Sequence, residues 1–146
     1  PGLDFTLTGK PDRIDRLPDG RLYLIDYKTG TPPTPAQQKH FDKQLFLTAA
    51  MAEGGGFPGL GPQEVARLSY VGLKAVLDIQ STELDPGDVT EVWSEFGRLM
   101  ASYSRPGQGY TARRALESVR DVSDYDHLSR FGEWDMTEDP SPEDLA

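Results

Sequence analysis

The sequence contains no cysteine among its 146 residues. Without cysteine the chain cannot form a disulfide, a thiolate nucleophile, a cysteine-zinc site or a cysteine-held iron–sulfur cluster. It also has no apolar run that approaches the roughly 18 residues of a membrane-spanning helix. These absences predict a domain of the reducing cytoplasm that has no membrane partner and no iron–sulfur cofactor.

Positive charge is also scarce, since 15 Lys and Arg stand against 24 Asp and Glu, for a net charge of −9. Such a balance disfavours nucleic acid as a partner, because attraction to phosphate drives most nucleic-acid binding. The distribution is uneven, however: residues 1–50 carry seven basic and six acidic side chains, whereas residues 117–146 carry two and ten. The excess acidity is therefore a property of the C-terminal end.

What the chain does contain is a regular alternation of strand and helix patterns, with 36% apolar residues. We predict, in chain order, a strand that begins with LDFTLTG and continues to a turn at 18–20, a strand at 21–28, a helix at about 36–53, a strand region at 65–79 and a helix at about 88–103. The first helix should open with Thr34 as N-cap and Pro35 in its first turn, and its apolar stripe includes Phe41. The second strand is apolar on both faces and should be central in its sheet. The order β-β-α-β-α predicts a mixed α/β domain, followed by an acidic, disordered tail at 135–146.

The stretch LYLIDYKTG places two charged side chains at the end of the second strand. Asp26 and Lys28 share one face, since side chains two residues apart in a strand point the same way. Alone, the pair is better explained as an ordinary strand-end ion pair. The preceding strand adds Asp12 and Asp15, one of which should reach Asp26 across the hairpin.

Two neighbouring carboxylates are a binding site for a hard divalent cation such as Mg²⁺ or Mn²⁺, and the backbone carbonyl of Tyr27 is a plausible further ligand. Such an ion acidifies bound water and polarises a phosphoryl oxygen. Lys28 is positioned to orient the water or to neutralise charge at phosphorus. This constellation predicts metal-dependent cleavage of phosphodiesters.

The motifs G-x-x-D (ending at Asp12) and D-Y-K (Asp26 to Lys28), followed by a helix that carries Gln44, resemble the RecB-like branch of the PD-(D/E)XK nucleases. Within it they are most similar to the C-terminal nuclease domains of the bacterial AddB family of helicase–nuclease subunits, as is the closing segment 109–134. The resemblance implies a restriction-endonuclease-like mixed sheet flanked by helices, over residues 1–134. It also implies that Asp12 and Asp26 bind the metal, that Lys28 is the catalytic lysine, and that Gln44 completes the catalytic set.

By the same resemblance the domain would process double-strand break ends for recombinational repair in the bacterial nucleoid. Its partners would be single-stranded or duplex DNA ends, a helicase–nuclease partner subunit and the rest of its own parent chain. Pro11 and Thr48 depart from the family pattern, and a proline in a strand implies an edge or a bulge, so Asp15 remains an alternative to Asp12. We expect an upstream helix with a further metal ligand to be missing. The alternative function is an inactive nuclease-like scaffold that guides DNA or docks a partner subunit.

Overall fold

The computed structural model describes residues 5–106, together with 108, 126, 127, 130, 132, 133, 135 and 137. The elements are β1 (Arg13–Arg16), β2 (Leu22–Lys28), α1 (Pro35–His40), α2 (Gln44–Glu53), β3 (Val65–Gly72), β4 (Asp78–Glu83) and α3 (Asp88–Tyr103). One compact unit, Pro1–Met100, contains the whole sheet, and Ala101–Ala146 form a second. Most of segment 109–134 and of the predicted tail at 135–146 lies outside the described residues. None of the described helices is both long and apolar enough to cross a membrane.

The four strands form one mixed sheet in the order β1-β2-β3-β4. The outer pairs β1–β2 and β3–β4 are antiparallel, and the central pair β2–β3 is parallel. This confirms the predicted mixed α/β fold with flanking helices. The central position of β2 is also confirmed, since it has a hydrogen-bonded strand on each side and its residues Leu22, Leu24 and Ile25 are buried.

The hairpin between β1 and β2 turns where the sequence predicts. The N–H of Leu17 donates to the carbonyl of Arg21 at 2.8 Å, and Gly20 takes the φ of +91° that the turn requires. The first strand is much shorter than predicted, however, and residues 5–10 form no strand. Pro11 cannot donate to a ladder, and Phe5 instead packs edge-on against Phe96 of α3, with ring centroids 5.8 Å apart.

The helix predicted at 36–53 is interrupted at 41–43, so the prediction of one continuous helix is wrong. Its start is as expected, with Thr34 as N-cap in a capping box and Pro35 in the first turn. The interruption coincides with Asp42, whose Oδ1 accepts a 2.7 Å hydrogen bond from the hydroxyl of Tyr70 in β3. As a result Phe41, predicted to be in the core, is 48% exposed.

The strand region at 65–79 is a hairpin of two strands, so the element order is β-β-α-α-β-β-α. Helix α3 begins and ends where predicted, but only part of its apolar stripe is core. Val89 and Val92 are buried, whereas Trp93 is 47% and Tyr103 is 38% exposed. The core therefore contacts the first turns of α3, and the later apolar positions are not part of it.

The hydrophobic core lies on one face of the sheet, against α2 and the start of α3. Its buried members are Leu22, Leu24, Val65, Leu68 and Tyr70 from the strands, Leu45, Ala49 and Ala52 from α2, and Val89 from α3. Each fully buried leucine contributes about 1.5–3 kcal/mol to the free energy of folding. This packing fixes the separation between β2 and α2, which together carry the candidate site.

Candidate active site

Strand β2 ends in a buried carboxylate beside a lysine. Asp26 is 5% exposed and lies on the core face, opposite Tyr70 of β3. The Nζ of Lys28 is 2.9 Å from Oδ2 of Asp26. A buried carboxylate is costly unless a partner compensates its charge, so this contact is required by the fold as well as by any chemistry. The structure thus brings together the first two residues predicted for the site.

Gln44, the first residue of α2, joins this pair into a closed ring of contacts. Its Nε2 donates to Oδ1 of Asp26 at 2.7 Å, and its Oε1 accepts from Nζ of Lys28 at 2.8 Å. A glutamine amide suits this position because one end is a donor and the other an acceptor. A glutamate would present a like charge to Asp26, and a lysine would repel Lys28. The third predicted residue therefore holds the other two at a fixed separation.

The position of Gln44 depends on two residues that sequence reasoning missed, Tyr70 and Asp42. The Tyr70 hydroxyl donates to Oδ1 of Asp42 and accepts from the N–H of Leu45 at 3.3 Å, so it fixes the start of α2 to β3. Burial, and secondly the hydrogen bond to Asp42, raises the pKa of Tyr70 well above its usual value, which keeps the hydroxyl protonated. The Tyr70 ring also lies 5.2 Å from Nζ of Lys28, within range of a cation–π contact. A tyrosine in the strand VARLSYVG is the available signal.

The two early aspartates make different contacts with the sheet. Asp15 pairs in register with Tyr23 and is held by Arg13 through hydrogen bonds of 2.7 and 2.8 Å, on the face opposite Asp26. The pairing from Arg13 to Arg16 is regular, so no bulge turns Asp15 inward. Asp12 lies in a bend just before this ladder.

Asp12 lies at the open edge of the site. It is exposed, and its Oδ2 accepts a 2.9 Å hydrogen bond from the N–H of Tyr27. The N–H and carbonyl of one strand residue point to the same neighbouring strand, so the Tyr27 carbonyl faces the Asp12 side. The predicted carboxylate and carbonyl are thus at one edge of β2, next to Asp26.

The oxygen atoms at this edge of β2 are of the kind that bind a divalent cation. Oδ2 of Asp26 is buried and accepts no hydrogen bond, because the nearby Lys28 ammonium is at ion-pair distance without hydrogen-bond geometry. Two carboxylates and a carbonyl match the few protein ligands that Mg²⁺ takes alongside water. Within the described residues, no group of three or more His, Cys, Asp or Glu side chains is arranged to hold a metal ion. The protein ligands for a cation would therefore be few.

The loop after β2 fixes the other side of the site. The Lys28 carbonyl accepts a 2.8 Å hydrogen bond from the N–H of Leu73, which holds the end of β2 to β3. Pro32 packs over Gly72 so closely that a Cβ at that glycine would be 2.9 Å from the proline Cδ. The Gly-Thr-Pro-Pro sequence thus crosses the end of the sheet and limits the movement of Lys28.

A mixed sheet whose central strand ends in a carboxylate and a lysine, bridged by a helical glutamine, defines an α/β domain with an acid–lysine site. The family profile of the PD-(D/E)XK nuclease superfamily matches residues 2–134, and the chain belongs to that superfamily. Membership indicates a nuclease, of a class that typically uses divalent metal ions and acts on DNA. No curated protein and no solved structure matches the chain significantly.

Proposed function

We propose that the domain is a metal-dependent DNA nuclease whose reaction takes place at the end of β2. The observation that carries the proposal is the group at the end of β2, where the buried Asp26 lies beside the Lys28 ammonium and the exposed Asp12 accepts from the N–H of Tyr27. Lys28 compensates the charge of Asp26. The support for a cation is therefore the second carboxylate, Asp12, next to the Tyr27 carbonyl at the open edge of β2.

In the proposed site Asp12, Asp26 and the Tyr27 carbonyl hold Mg²⁺ or Mn²⁺. The cation, when bound, neutralises phosphate charge and acidifies water. Hydrolysis forms one P–O bond from water and breaks the P–O bond to a sugar oxygen, while the proton of the water passes to solvent or to the leaving oxygen. Lys28 stabilises the negative charge that develops at phosphorus.

Gln44 has a positioning role in this scheme. Its two hydrogen bonds, of 2.7 and 2.8 Å, set the distance between the carboxylate of Asp26 and the ammonium of Lys28. If a cation were to share Asp26, the Lys28 ammonium would keep the Gln44 oxygen as a partner. Precise placement of such groups accounts for a large part of enzymatic rate enhancement.

We further propose that this nuclease works within an AddB-type helicase–nuclease that processes double-strand break ends for recombinational repair. The support is the resemblance of G-x-x-D, D-Y-K and the Gln44 helix to that family. By this proposal the DNA end is delivered by a partner subunit and by the rest of the parent chain.

The test is a cleavage assay on end-labelled single-stranded and duplex DNA with Mg²⁺ or Mn²⁺. Asp26→Asn keeps the shape of the side chain and should abolish cleavage, and Lys28→Met should lower its rate by at least about 100-fold, the range found for loss of one charge-stabilising group. Asp15→Asn, on the opposite face, is the matched control and should cut like the wild type. Equal cleavage by Asp26→Asn and the wild type would disprove the catalytic proposal.

The second candidate is a non-catalytic scaffold, which is favoured by the absence of any three-ligand group from the described part of the chain. Calorimetric titration with Mn²⁺ separates the two candidates. Binding that is lost in Asp26→Asn supports the nuclease. DNA binding without cleavage and without carboxylate-dependent Mn²⁺ binding supports the scaffold.

A further inference from the structure

Tyr70 contacts the residues of the site in two ways, through its hydroxyl and through its ring. The hydroxyl bonds to Asp42 and to the N–H of Leu45, and it thereby fixes the first turn of α2, which carries Gln44. The ring lies beneath the Lys28 ammonium, whose Nζ is 5.2 Å from the ring centroid. Packing of the core requires a large side chain at this position, but it does not require a cation over its face.

The Lys28 ammonium has three partners of different kinds. Oδ2 of Asp26 is a charged group at 2.9 Å, and Oε1 of Gln44 is a neutral acceptor at 2.8 Å. The Tyr70 ring presents the negative face of its π system. A divalent cation at Asp26 would compete for the first partner only, and its charge would repel the ammonium. Lys28 would then depend on two neutral partners, of which the ring is one.

Burial favours the Tyr70 ring over other rings of the described residues that have a cation above them. Tyr70 is 1% exposed, so little water screens its face. Arg67 lies over Tyr23 at 5.4 Å and Lys43 over Phe46 at 5.5 Å, but those two rings are only partly buried. Because a cation–π contact strengthens when it is desolvated, the contact at Tyr70 should be the strongest of the three.

A lysine needs such a partner because its side chain is flexible. The ammonium is at the end of a four-carbon chain and can adopt many positions unless it is held. The Lys28 side chain is 29% exposed, so water competes for it. A charge-stabilising group accelerates a reaction only while it stays close to the reacting atoms. Holding the ammonium in place is therefore a requirement of its own.

We propose that Tyr70 is a second positioning residue of the site, and that its ring keeps the Lys28 ammonium in place when a divalent cation occupies Asp26. The hydroxyl of Tyr70 places Gln44, and its ring supports the ammonium directly. The tyrosine is buried and out of reach of DNA, so it acts on the reaction through these two residues. This inference rests on the proposed nuclease function, since it names a residue on which the lysine of that site depends.

Two replacements of Tyr70 test the ring apart from the hydroxyl. Tyr70→Phe removes the hydroxyl and keeps the ring, whereas Tyr70→pentafluorophenylalanine removes the hydroxyl and also reverses the charge on the ring face, because fluorine withdraws electrons. The two side chains have nearly the same shape. In cleavage of end-labelled DNA with Mg²⁺, kcat should be about two- to 30-fold lower in the fluorinated variant than in Tyr70→Phe, the factor that corresponds to one cation–π contact. KM should be the same in both.

The difference should depend on the lysine. In the Lys28→Met background the two replacements of Tyr70 should give the same kcat, since no ammonium remains to be held. Tyr23 is the matched control, because it lies on the other face of β2, has Arg67 over its ring and donates its hydroxyl to Ser69 at 2.8 Å. Tyr23→Phe and Tyr23→pentafluorophenylalanine should share one kcat. A difference at Tyr70 that persists without the lysine would overturn the proposal.

Nuclear magnetic resonance gives a readout that does not require cleavage. Protons over the face of an aromatic ring resonate upfield, and the Cε protons of Lys28 can be assigned by their absence from the spectrum of Lys28→Met. In Tyr70→Phe these signals should stay upfield of those of exposed lysines when Mg²⁺ is added. In the fluorinated variant, Mg²⁺ should move them to the exposed-lysine position. Identical behaviour of the two variants would overturn the proposal, and thermal melts of both show that each is folded.

The two proposals fail separately in these experiments. If Asp26→Asn loses cleavage while the two Tyr70 variants share one kcat and one set of Lys28 signals, the nuclease function stands and the positioning role of the ring is wrong. If Asp26→Asn cuts like the wild type, the nuclease proposal is wrong, and the role of the ring in that reaction is overturned with it.

Discussion

Replacing Lys28 by methionine tests how far the acid–lysine pair stabilises the fold. Methionine has a similar length and no charge, so the substitution removes the ammonium and leaves most of the apolar contact with the Tyr70 ring. Asp26 would then keep a single compensating interaction, the hydrogen bond from Gln44 at 2.7 Å. Its Oδ2 would be a buried charged oxygen without a counterion.

The expected loss of unfolding free energy follows from the burial of the two side chains. Removing one partner of a fully buried ion pair destabilises a protein by about 3–5 kcal/mol. The Lys28 side chain is 29% exposed, while that of Asp26 is 8% exposed. Water therefore screens part of the interaction, and we reduce the expected loss of unfolding free energy to about 2 kcal/mol. For a domain of this size that loss corresponds to a decrease in melting temperature of about 6–8 °C.

A double-mutant cycle with Asp26→Asn isolates the pair. The asparagine side chain is neutral, so Lys28→Met should cost much less in that background, and the double variant should be more stable than Lys28→Met alone. Denaturant unfolding of the four proteins measures the coupling energy, which we expect to be about 1–2 kcal/mol. Additive effects within about 0.5 kcal/mol would show that the contact does not stabilise the fold and would refute the reasoning.

Binding of a divalent cation gives an independent test of Lys28→Met. Without the ammonium, Mn²⁺ has no competitor for Oδ2 of Asp26, so it should raise the melting temperature of Lys28→Met more than that of the wild type. Lys28→Met/Asp26→Asn is the control and should not respond. An equal response of the wild type and Lys28→Met would mean that the cation does not use this oxygen.

Three further substitutions, with Asp15→Asn as a control, test the site and its surroundings. Tyr70→Phe should lower the unfolding free energy by about 1–3 kcal/mol at neutral pH through loss of two hydrogen bonds. Because burial raises the pKa of Tyr70, wild-type stability should also fall as pH rises above about 10. A pH series of denaturant melts should show that the phenylalanine variant lacks that part of the fall. Gly72→Ala should cost about 1–3 kcal/mol, since the new methyl would meet Pro32 at 2.9 Å, and a denaturant melt with no shift would contradict this packing. Asp12→Asn should lose both Mn²⁺ binding and cleavage. Asp15→Asn should change neither and should alter the unfolding free energy by less than about 0.5 kcal/mol. Loss of cleavage in Asp15→Asn would show that Asp15, and not Asp12, belongs to the site.

The parts of the fold that could be predicted are those determined by local pattern. The apolar run before Asp26, the turn around Gly20 and the cap at Thr34 each specify their structure through neighbours in sequence, and each lies where predicted. The parallel register that brings Asp26 opposite Tyr70 is a contact between distant segments, and no local signal encodes it.

The predictions of secondary structure fail where the local sequence carries no signal. The turn between β3 and β4 is LKAVL, which contains none of the Gly, Pro, Asn or Asp residues that normally mark a turn, so two strands were predicted as one region. The interruption at 41–43 coincides with the bond between Asp42 and Tyr70, which is 28 residues away in sequence. Helix propensity and periodicity cannot detect a contact of that kind.

That interruption determines where the bridging glutamine lies. A continuous helix through 36–53 would place Phe41 and Leu45 on the same stripe, against the core, and would set the direction of Gln44 by helix geometry alone. Instead Tyr70 holds Asp42, and α2 begins at Gln44, which faces Asp26 and Lys28, while Phe41 is exposed at the surface. By this reasoning Tyr70→Phe should lower the rate of cleavage of end-labelled DNA, although the Tyr70 hydroxyl bonds to Asp42 and Leu45 and not to the site residues themselves. A wild-type rate in this variant would show that the bond to Asp42 is not needed to place Gln44.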